Sequence, residues 1–325
     1  MNFKKIITNI TLVSLIFVFT FAMAGQAQWK PEKEVLIIDP YDVGGGTDIL
    51  ARIIEPYLEE IIGQHIVVEA VPGASGIIGT TRVYNSPPDG YTLICTAPPG
   101  YHLRAASKDS IYESDDFVAI AKFSSDPYTF YVRGDAPWDN INDLIDDVKE
   151  NPNKYSIAAG GPLHTGALGV IMVQKAFGLE WKYIPFDGNS EVLATILGGH
   201  VDIGVGPGVR YMDYVKEKQL KVLASMYDKR IEGMLEVPTM EEETGKLIYD
   251  ASERGFMIHA ATPEEIVNYW REAFKKVSEI PEVQEAIEKQ MPFDFSTGEE
   301  YQKLFDSMTK YVDEYLPILE AELQK

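Results

Sequence analysis

The chain has 325 residues, of which 45% are hydrophobic and 24% are charged. This length allows two domains of ordinary size, and the composition is that of a folded protein rather than a disordered one. The 50 acidic residues outnumber the 29 basic ones and give a net charge of -21. Such an excess argues against a nucleic-acid partner, because a phosphate backbone requires a basic surface. The single cysteine allows neither an internal disulfide nor a cysteine-based zinc site.

Residues 1–27 have the pattern of a secretory signal peptide. Lys4 and Lys5 precede a mostly apolar run that ends at Ala24, and small residues continue to Ala27. This arrangement predicts cleavage near Ala24 or Ala27. An uncleaved anchor is the alternative, since a run of about 19 residues is just long enough to span a membrane. Cleavage would remove both lysines and no acid, leaving a charge of -23. No cysteine near the cleavage region offers a lipid acceptor, so we expect a periplasmic protein.

The first part of the mature chain predicts alternating strands and helices. Short apolar runs bounded by turn residues indicate buried strands, and apolar residues at helical spacing indicate helices. Pro56 should kink or break the first helix, and Gly63 should end it. The predicted elements are a strand at Val35–Asp39, a helix from about Asp48 to Ile62, a strand at Ile66–Glu69, a helix opening at Gly73–Gly79 and a strand at Tyr91–Thr96. This order is typical of a parallel α/β domain.

The second part of the chain repeats this alternation. The predicted strands lie at Phe117–Phe123, Thr129–Val132, Tyr155–Ala159, Lys182–Pro185, Val201–Val205 and Val222–Ser225, and the predicted helices at Trp138–Lys149 and Thr165–Phe177. From Pro263 onward the sequence predicts mostly helix. Because no Gly/Ser-rich linker separates the two parts, we expect two α/β lobes joined by strands that cross between them.

The sequence lacks the signatures of common catalytic and cofactor sites. Gly44–Gly46 follows a predicted strand and opens a helix, but Ile49 stands where a dinucleotide-binding loop needs a third glycine. No glycine-rich loop ends in Gly-Lys-Ser/Thr, and the five histidines are scattered without the spacing of metal ligands. We therefore expect no catalysis, no metal and no cofactor.

Four glycine-containing turns lie where predicted strands run into helices, at Gly44–Asp48, Ala97–Gly100, Gly160–Thr165 and Phe186–Ser190. In parallel α/β sheets such turns meet at the carboxyl ends of the strands, where ligands bind. Glycine lets the backbone approach a ligand closely, and the N–H groups at a helix start favour an anion such as a carboxylate. Any one turn could be no more than a tight connection, but the four together favour a ligand cleft.

A series of motifs resembles those of the substrate-binding proteins of tripartite tricarboxylate transporters, the TctC or Bug receptor family. The resemblance covers essentially the whole mature chain, in the same order. The motifs are Pro40–Arg52, Gly63–Glu69, Pro72–Gly79, Pro88–Leu93, Tyr183–Gly188, Leu197–Asp202, Val237–Glu241 and Ala261–Glu265. Each motif by itself is modest, and the series together is specific.

The resemblance implies a periplasmic receptor with a two-lobed, type II-like periplasmic-binding-protein fold that closes on its ligand like a Venus flytrap. Residues 28–126 and 254–325 would form lobe 1, and residues 127–253 would form lobe 2. Such a receptor would be a monomer that captures a di- or tricarboxylate, or another small carboxylic acid, for integral-membrane permease subunits. A sensory receptor for the same ligands and an exported enzyme are the alternatives.

The resemblance also implies which residues bind the ligand. They are Tyr41, Gly45, Gly46, Thr47 and Asp48 of the first turn, Ala97 and Pro98 after the third strand, Gly160, Gly161, His164 and Thr165 of the second lobe, together with Phe186 and Arg254. We expect Asp48 mainly to shape its loop by accepting backbone N–H bonds at the helix start. His164 could donate to a ligand oxygen or cap its helix.

Three features depart from the family pattern. The second-lobe turn that ends at His164 is one residue shorter than the family's, and Thr165 could supply its hydroxyl. Gly206 stands where relatives often carry Asp or Asn, which predicts an enlarged pocket or the loss of a partner for a ligand amine. Arg254 could bind a distal carboxylate through a bidentate pair. The alternative for Arg254 is a surface or hinge ion pair with Glu253 or Asp250.

Three polar or aromatic residues, Tyr101, His102 and Arg104, follow the turn after the third strand. They could line the mouth of the cleft, but a plain surface loop is the expectation. Asp202 ends a predicted strand at a position that matches the family. Because a carboxylate would repel an anionic ligand, we expect Asp202 to act behind the contact residues.

Overall fold

The computed structural model describes residues 29–161, 164–186 and 188–322, and the predicted signal peptide lies outside these residues. Within them the strands are β1 Val35–Asp39, β2 Ile66–Ala70, β3 Thr92–Thr96, β4 Phe117–Arg133, β5 Ser156–Gly160, β6 Lys182–Phe186, β7 Ile203–Pro207, β8 Leu220–Ser225, β9 Ala251–His259 and β10 Phe293–Ser296. The helices are α1 Gly46–Ile62, α2 Ile77–Tyr84, α3 Gly100–Ala105, α4 Ile141–Glu150, α5 Ala167–Phe177, α6 Asn189–Leu197, α7 Met212–Lys216, α8 Met240–Thr244, α9 Glu264–Ser278, α10 Pro281–Glu288 and α11 Gly298–Glu322. In this described part of the chain, no helix is long and apolar enough to cross a membrane.

The first three strands form a parallel sheet, as the sequence predicts. β1 pairs in parallel with β2 on one side and with β3 on the other. Strands of this kind are covered on both faces, which accounts for the nearly continuous apolar run of β1. The helix between the first two strands ends at Gly63, whose φ of 71° is left-handed and whose N–H donates to the carbonyl of Glu59.

Pro56 lies inside α1, and the helix is continuous from Gly46 to Ile62. A break at the proline is therefore the wrong expectation. Ile54 and Leu58 on either side of it are fully buried. Their packing in the core compensates for the backbone hydrogen bond that proline cannot make, because helices in proteins gain most of their stability from tertiary packing.

The long strand β4 connects the two halves of the sheet. From Phe117 to Pro127 it pairs antiparallel with β9, and from Tyr128 to Arg133 it pairs with β7 and β8. The sequence predicted two separate strands here, which is wrong. The polar residues Ser124, Ser125 and Asp126 interrupt the apolar pattern, yet they are buried and belong to the ladder with β9. The partner strand β9 was not predicted for the same reason.

The second half of the sheet repeats the parallel arrangement around β5, which pairs in parallel with β6 and β7. The full order of the main path is β2-β1-β3-β9-β4-β7-β5-β6. The helix predicted from Trp138 begins three residues later, at Ile141. Asn140 defines this start, because its side chain accepts a hydrogen bond from the backbone N–H of Asp143 at 2.9 Å.

The last helix, α11, packs on the cores of both halves. Its first part buries Tyr301 and Phe305 beside residues of β3, β4 and α3. Its later part buries Val312, Leu316 and Leu319 in the core that also contains α4 and α5. β1, β3 and β5 belong to the same sheet, and the turns that follow their carboxyl ends form the site described next.

Candidate functional site

A cavity of about 180 Å³ lies at the turns after β1, β3 and β5. It brings together eight of the residues that the sequence analysis implied: Tyr41, Gly45, Gly46, Thr47, Ala97, His164, Thr165 and Arg254. Four further residues complete the lining and were not among the implied set: Gly100, Arg104, Tyr128 and Ser252. Residues far apart in the chain therefore meet at one place, as expected at the carboxyl ends of strands in an α/β protein.

Two of the implied residues, Asp48 and Pro98, are not part of this lining. Asp48 accepts hydrogen bonds from the backbone N–H of Gly44 and from Arg52 Nε, both at 2.9 Å. These bonds close the first turn, which agrees with the structural role expected for Asp48, although the residue that caps α1 is Gly45. The carbonyl of Pro98 accepts from the backbone N–H of Glu253 at 2.9 Å. Contact between a ligand and these residues stays a prediction.

The remaining implied residues follow β5 and β6. A Cβ atom on Gly160 would lie 2.8 Å from His164 Cβ, so the turn needs glycine there to fold back on itself. Gly161 lies beside the carbonyl of Phe186. Phe186 itself is half-buried and packs with apolar residues of α6. For these residues also, a role in ligand contact stays a prediction.

The first turn is tied to the end of β1 through Asp39. Its Oδ1 accepts from the hydroxyl of Thr47 at 2.8 Å and from the backbone N–H of Tyr41 at 3.3 Å. Burial raises the pKa of Asp39 to about 6, although the bonds from Thr47 and Tyr41 favour its ionised form. This buried carboxyl fixes both ends of the turn from behind the cavity.

Arg254 is 8% exposed and its guanidinium packs against the first turn. A Cβ atom on Gly46 would come within 2.5 Å of Arg254 Nε. Nη2 donates to Asp126 Oδ2 at 3.2 Å, while Nη1 is buried and has no hydrogen-bond partner among the described residues. The arginine thus has one donor group that remains to be satisfied.

The ion pair of Arg254 differs from the one considered in the sequence analysis. Its carboxylate partner is Asp126, and both side chains of this pair are buried. Glu253 instead pairs with Lys122 at 3.1 Å, and Asp250 accepts from the backbone N–H of Gly169 at 3.2 Å. The reason is the alternation of side chains along β9, which turns Glu253 and Arg254 to opposite faces of the sheet.

Arg104 is the second cationic side chain of the cavity, and the expectation of a plain surface loop is wrong. The residue lies on α3 and is 4% exposed. Its Nη2 donates to the hydroxyl of Tyr41, and its guanidinium carbon lies 5.0 Å from the centre of the Tyr41 ring. Tyr101 and His102 are fully buried, and burial lowers the pKa of His102 to about 3.

Arg104 could have been found from the sequence by helical spacing. Gly100 and Arg104 are four residues apart, so a helix that begins at Gly100 places both on one face. A Cβ atom on Gly100 would lie 3.0 Å from Arg104 Nη1 and 3.5 Å from the Thr165 hydroxyl. The glycine therefore makes room for the arginine, not only for a tight turn.

The turn after β5 contributes His164 and Thr165. The residue that caps α5 is Gly166, so His164 does not occupy the capping position considered in the sequence analysis. His164 and Tyr41 also line an adjoining cavity of about 420 Å³, which continues past Asp42 to the loop around Gly73. The site thus has an inner part with two arginines and an outer part without them.

Gly206 does not enlarge the pocket. A Cβ atom at this position would lie 2.5 Å from the Tyr211 hydroxyl, so the ring of Tyr211 takes the space that the missing side chain leaves. Tyr211 in turn packs on Tyr131 with 4.6 Å between ring centres. Asp202 is exposed and accepts hydrogen bonds from the backbone N–H and hydroxyl of Ser156. It holds β5 and the start of β7 together.

No group of three or more metal-ligating side chains is present in the described residues. The cavity instead offers glycine-rich backbone, hydroxyl groups and two guanidinium groups. Two α/β halves joined by long strands, with such a cavity at their turns, define a solute-binding protein of the two-lobed, type II-like class.

Comparisons with known proteins give the family. The family of tripartite tricarboxylate transporter receptors, named TctC, matches residues 50–313. The chain is 31% identical over 273 residues to a UPF0065 protein from the gbd 5′ region of Cupriavidus necator, covering 82% of each chain. The protein therefore belongs to the TctC family of tripartite tricarboxylate transporter receptors, as the motifs indicated.

Solved structures confirm the fold. A TctC solute-binding protein from Polaromonas, solved without ligand, superposes with a TM-score of 0.76 at 28% identity, covering 90% of this chain and 99% of that chain. The R. palustris protein Rpa4515, solved with adipate, superposes with a TM-score of 0.72 at 22% identity, covering 89% and 98%. The expected type II-like fold is thus confirmed.

Proposed function

We propose that the protein is a periplasmic receptor that captures a small carboxylic acid in the inner cavity and delivers it to integral-membrane permease subunits. The observation that carries the proposal is Arg254 beside the first glycine turn, with its buried Nη1 unpartnered among the described residues. A buried donor left unsatisfied costs about 1–3 kcal/mol, and more on a charged group. A ligand carboxylate would remove this cost through a charge-assisted hydrogen bond.

The electrostatics of the inner cavity support an anionic ligand. Two arginines line it, and Asp126, at 3.2 Å, is the carboxylate that pairs with Arg254 among the described residues. Arg210 Nε lies 3.6 Å from the same carboxylate. The net charge of the chain is -21, but charges on the outer surface are screened over about 8–10 Å at physiological salt. Local donors therefore decide whether an anion binds.

The arrangement of the sheet supports closure of two lobes about β4 and β9. We propose the lobes as residues 28–126 with 254–325, and residues 127–253. The pairing of β4 changes partners between Pro127 and Tyr128, which is compatible with a hinge at this point. Because Val312, Leu316 and Leu319 pack in the core of the second lobe, we propose that the end of α11 is an exception to this boundary and moves with lobe 2.

The relatives support the ligand class and the pathway. The Polaromonas protein is a solute-binding protein, and Rpa4515 was solved with adipate, a dicarboxylate. We propose that this chain acts as a monomer, after export and cleavage near Ala24 or Ala27, and carries out no catalysis. A sensory receptor would bind the same ligands, so the partner decides between the two roles. Isolation of the receptor with permease subunits from membranes would favour transport.

The test is a thermal-shift screen of the protein from residue 28 against short carboxylic acids, acidic amino acids and aromatic acids, with the corresponding amides as controls. A ligand that binds only the folded state stabilises it by about 2.7 kcal/mol at a hundredfold excess over its dissociation constant. We expect a raised melting temperature with at least one acid and no change with its amide. Folded protein that responds to none of the acids contradicts the proposal.

A further inference from the structure

A second group of charged residues lies on the face of β4 and β9 opposite the inner cavity. Glu253 and Arg254 are neighbours on β9, so their side chains point to opposite faces of the sheet. Arg254 lines the inner cavity, whereas Glu253 pairs with Lys122 at 3.1 Å on the other face. The partner of β4 changes from β9 to β7 at Tyr128. The group around Glu253 therefore lies near the proposed hinge and behind the ligand cavity.

Asp294 extends this group from one proposed lobe to the other. It lies on β10, which pairs with β4 within the residues proposed for lobe 1. Its Oδ2 lies 2.9 Å from Lys122 Nζ and 2.8 Å from Ser125 Oγ, both on β4. The same oxygen accepts a hydrogen bond from the hydroxyl of Tyr227 at 2.9 Å, and Oδ1 accepts from Lys229 Nζ at 3.3 Å. These two donors follow β8 in the proposed lobe 2. We call the contacts of Asp294 with Tyr227 and Lys229 the interlobe clasp.

The bond from Tyr227 is shielded from water, and the bond from Lys229 is not. Tyr227 is buried, and its ring packs on that of Tyr249 with 5.1 Å between the ring centres. The side chain of Lys229 is more than half exposed, so its ion pair contributes little. Burial would raise the pKa of Asp294, but Lys122 and the hydrogen bonds to the carboxylate hold this pKa well below its usual range. The hydroxyl of Tyr227 thus donates to an ionised carboxylate, which is a stronger acceptor than a neutral one.

A cavity beside the interlobe clasp is walled by both proposed lobes. It has a volume of about 660 Å³, and Ser125 and Asp294 form part of its lining. The other lining residues come from 288–293 of lobe 1 and from 209–213 and 229–233 of lobe 2. Because this cavity and the ligand cavity lie on opposite faces of the hinge strands, a rotation that narrows one of them widens the other. Closure on a ligand therefore pulls Tyr227 away from Asp294.

Building on the lobe closure of the proposed function, we propose that the interlobe clasp stabilises the open arrangement of the lobes and thereby sets the ligand affinity from outside the ligand cavity. A ligand that binds only the closed arrangement has an apparent affinity reduced by the fraction of closed protein. A contact that exists only in the open arrangement lowers this fraction. Weakening the interlobe clasp should then tighten ligand binding, although it changes no ligand contact.

The first experiment measures the arrangement of the lobes without a ligand. Spin labels attached to Val43→Cys and Ser190→Cys report the width of the ligand cleft by double electron–electron resonance. Val43 is an exposed residue next to the first glycine turn, and Ser190 is an exposed residue just after β6, which is parallel to β5. Cys95 is buried and should not take up a label. We expect Tyr227→Phe to shift the distances to shorter values in the protein from residue 28, because it removes one hydroxyl of the interlobe clasp and no charge.

The second experiment measures affinity by isothermal titration calorimetry with succinate, a short carboxylic acid of the thermal-shift screen. We expect Tyr227→Phe to bind succinate about tenfold more tightly than the unaltered protein, because the hydrogen bond it lacks opposes closure. Lys229→Met should act in the same direction by less than about threefold, since its ion pair is exposed. Tyr155→Phe is the matched control. The hydroxyl of Tyr155 donates to the carboxylate of Asp147 at 2.7 Å within the proposed lobe 2, so its loss should change neither the distances nor the affinity.

The outcomes separate this inference from the proposed function. Unchanged distances in folded Tyr227→Phe, or weaker binding of succinate by this variant, overturn the role of the interlobe clasp and leave a carboxylate receptor in place. Failure of succinate and of every acid in the thermal-shift screen to bind contradicts the proposed function, while the distances in the protein without ligand still decide whether the clasp holds the lobes open. If Tyr227→Phe does not fold, as judged by circular dichroism, the same measurements on Lys229→Met decide, with a smaller shift expected in the same direction.

Discussion

Two faces of the same pair of strands use charge in different ways. On one face, Glu253 pairs with Lys122, which also pairs with Asp294 at 2.9 Å, and the hydroxyl of Tyr249 donates to Glu253 at 2.7 Å. On the other face, the next residue, Arg254, has a single carboxylate partner and an unpartnered Nη1 among the described residues.

The comparison shows how a buried charge can serve stability or binding. A buried ion pair is tolerable when further hydrogen bonds satisfy its atoms, and the cluster around Lys122 meets this condition. A buried guanidinium with an unpartnered N–H group costs free energy, and a ligand that accepts a hydrogen bond from this group would remove the cost. Since side chains alternate along a strand, one strand can supply both kinds of charge from adjacent residues.

The largest expected effect comes from breaking the satisfied cluster. Lys122→Met would leave the carboxylates of Glu253 and Asp294 without their shared cation in a buried place. We expect a loss of about 3–5 kcal/mol in the free energy of unfolding, measured by urea denaturation. Lys33→Met is the control, since Lys33 pairs with Asp89 at the exposed surface and should cost less than about 1 kcal/mol. A loss below about 1 kcal/mol at Lys122 would show that the cluster is not a stabilising unit.

Asp250 is a buried carboxyl that has a backbone partner and, in the part of the chain that the structure describes, no ion-pair partner. Burial raises the pKa of Asp250 to about 7, against a hydrogen bond from Gly169. Between pH 4 and 7 the folded state therefore binds more protons at this group than the unfolded state, so this contribution to stability falls as the pH rises. Over this whole pH range, the contribution of Asp250 to the free energy of unfolding changes by on the order of 4 kcal/mol.

The measurement for Asp250 is urea unfolding at pH 5.5 and pH 8 of the unaltered protein and of Asp250→Asn. The variant should lose less stability than the unaltered protein between these two pH values, because its amide does not titrate. The same loss in both proteins would mean that Asp250 is ionised in the folded state throughout this range.

Arg254, unlike Lys122, should matter for binding as well as for stability, because its removal leaves the buried carboxylate of Asp126 with the half-exposed Arg210 at 3.6 Å. We expect Arg254→Gln to weaken the binding of a carboxylate ligand by about 2–3 kcal/mol, because it removes a buried charge-assisted bond. Calorimetry measures the affinity, and urea denaturation measures the accompanying change in stability. Unchanged affinity in a folded variant would exclude Arg254 from the ligand contacts.

Gly46 tests the position of the same arginine without changing any charge. The Cβ atom of Gly46→Ala would displace the guanidinium from 2.5 Å, so we expect a loss of about 1.4 kcal/mol in ligand affinity, a factor of about ten. Gly188→Ala is the control, since a Cβ atom there meets no described atom within 4 Å. Equal effects of the two substitutions would argue against a fixed place for Arg254.

The smallest expected effect concerns the second cation near Asp126. Arg210 Nε lies 3.6 Å from Asp126 Oδ2, but its side chain is half exposed. Arg210→Gln should therefore change both stability and ligand affinity by less than about 1 kcal/mol. A larger loss of affinity would mean that the ion pair with Arg210, and not only the one with Arg254, holds the carboxylate of Asp126 in place.

Much of the fold could be predicted because local patterns decide it. The apolar run of β1, the spacing of buried residues in α1 and the left-handed Gly63 each act within a few residues of chain. The site turns were predictable for the same reason, since Gly45, Gly46 and Thr47 follow directly on a strand. The implied lobe boundaries and ligand contacts remain proposals.

The rest depended on partners far away in the chain. β4 could not be recognised as one strand, nor β9 as a strand at all, because both contain charged residues. Lys122, Asp126 and Arg254 can be buried in these strands only because each pairs with an opposite charge from a distant part of the chain. The space beside Gly206 could not be judged without the ring of Tyr211. The spacing of Arg104 from Gly100 is a local signal, but its contact with Tyr41, 63 positions away, is not, and the residue was therefore assigned to a surface loop.

The alternation of strands and helices, the glycine turns and the family could all be recognised in the amino-acid sequence, because hydrophobic periodicity and turn chemistry are local. Which buried charges find partners depends instead on the tertiary structure. It brings together residues more than a hundred positions apart, such as Asp126 and Arg254. A chain can encode such distances only through its complete fold.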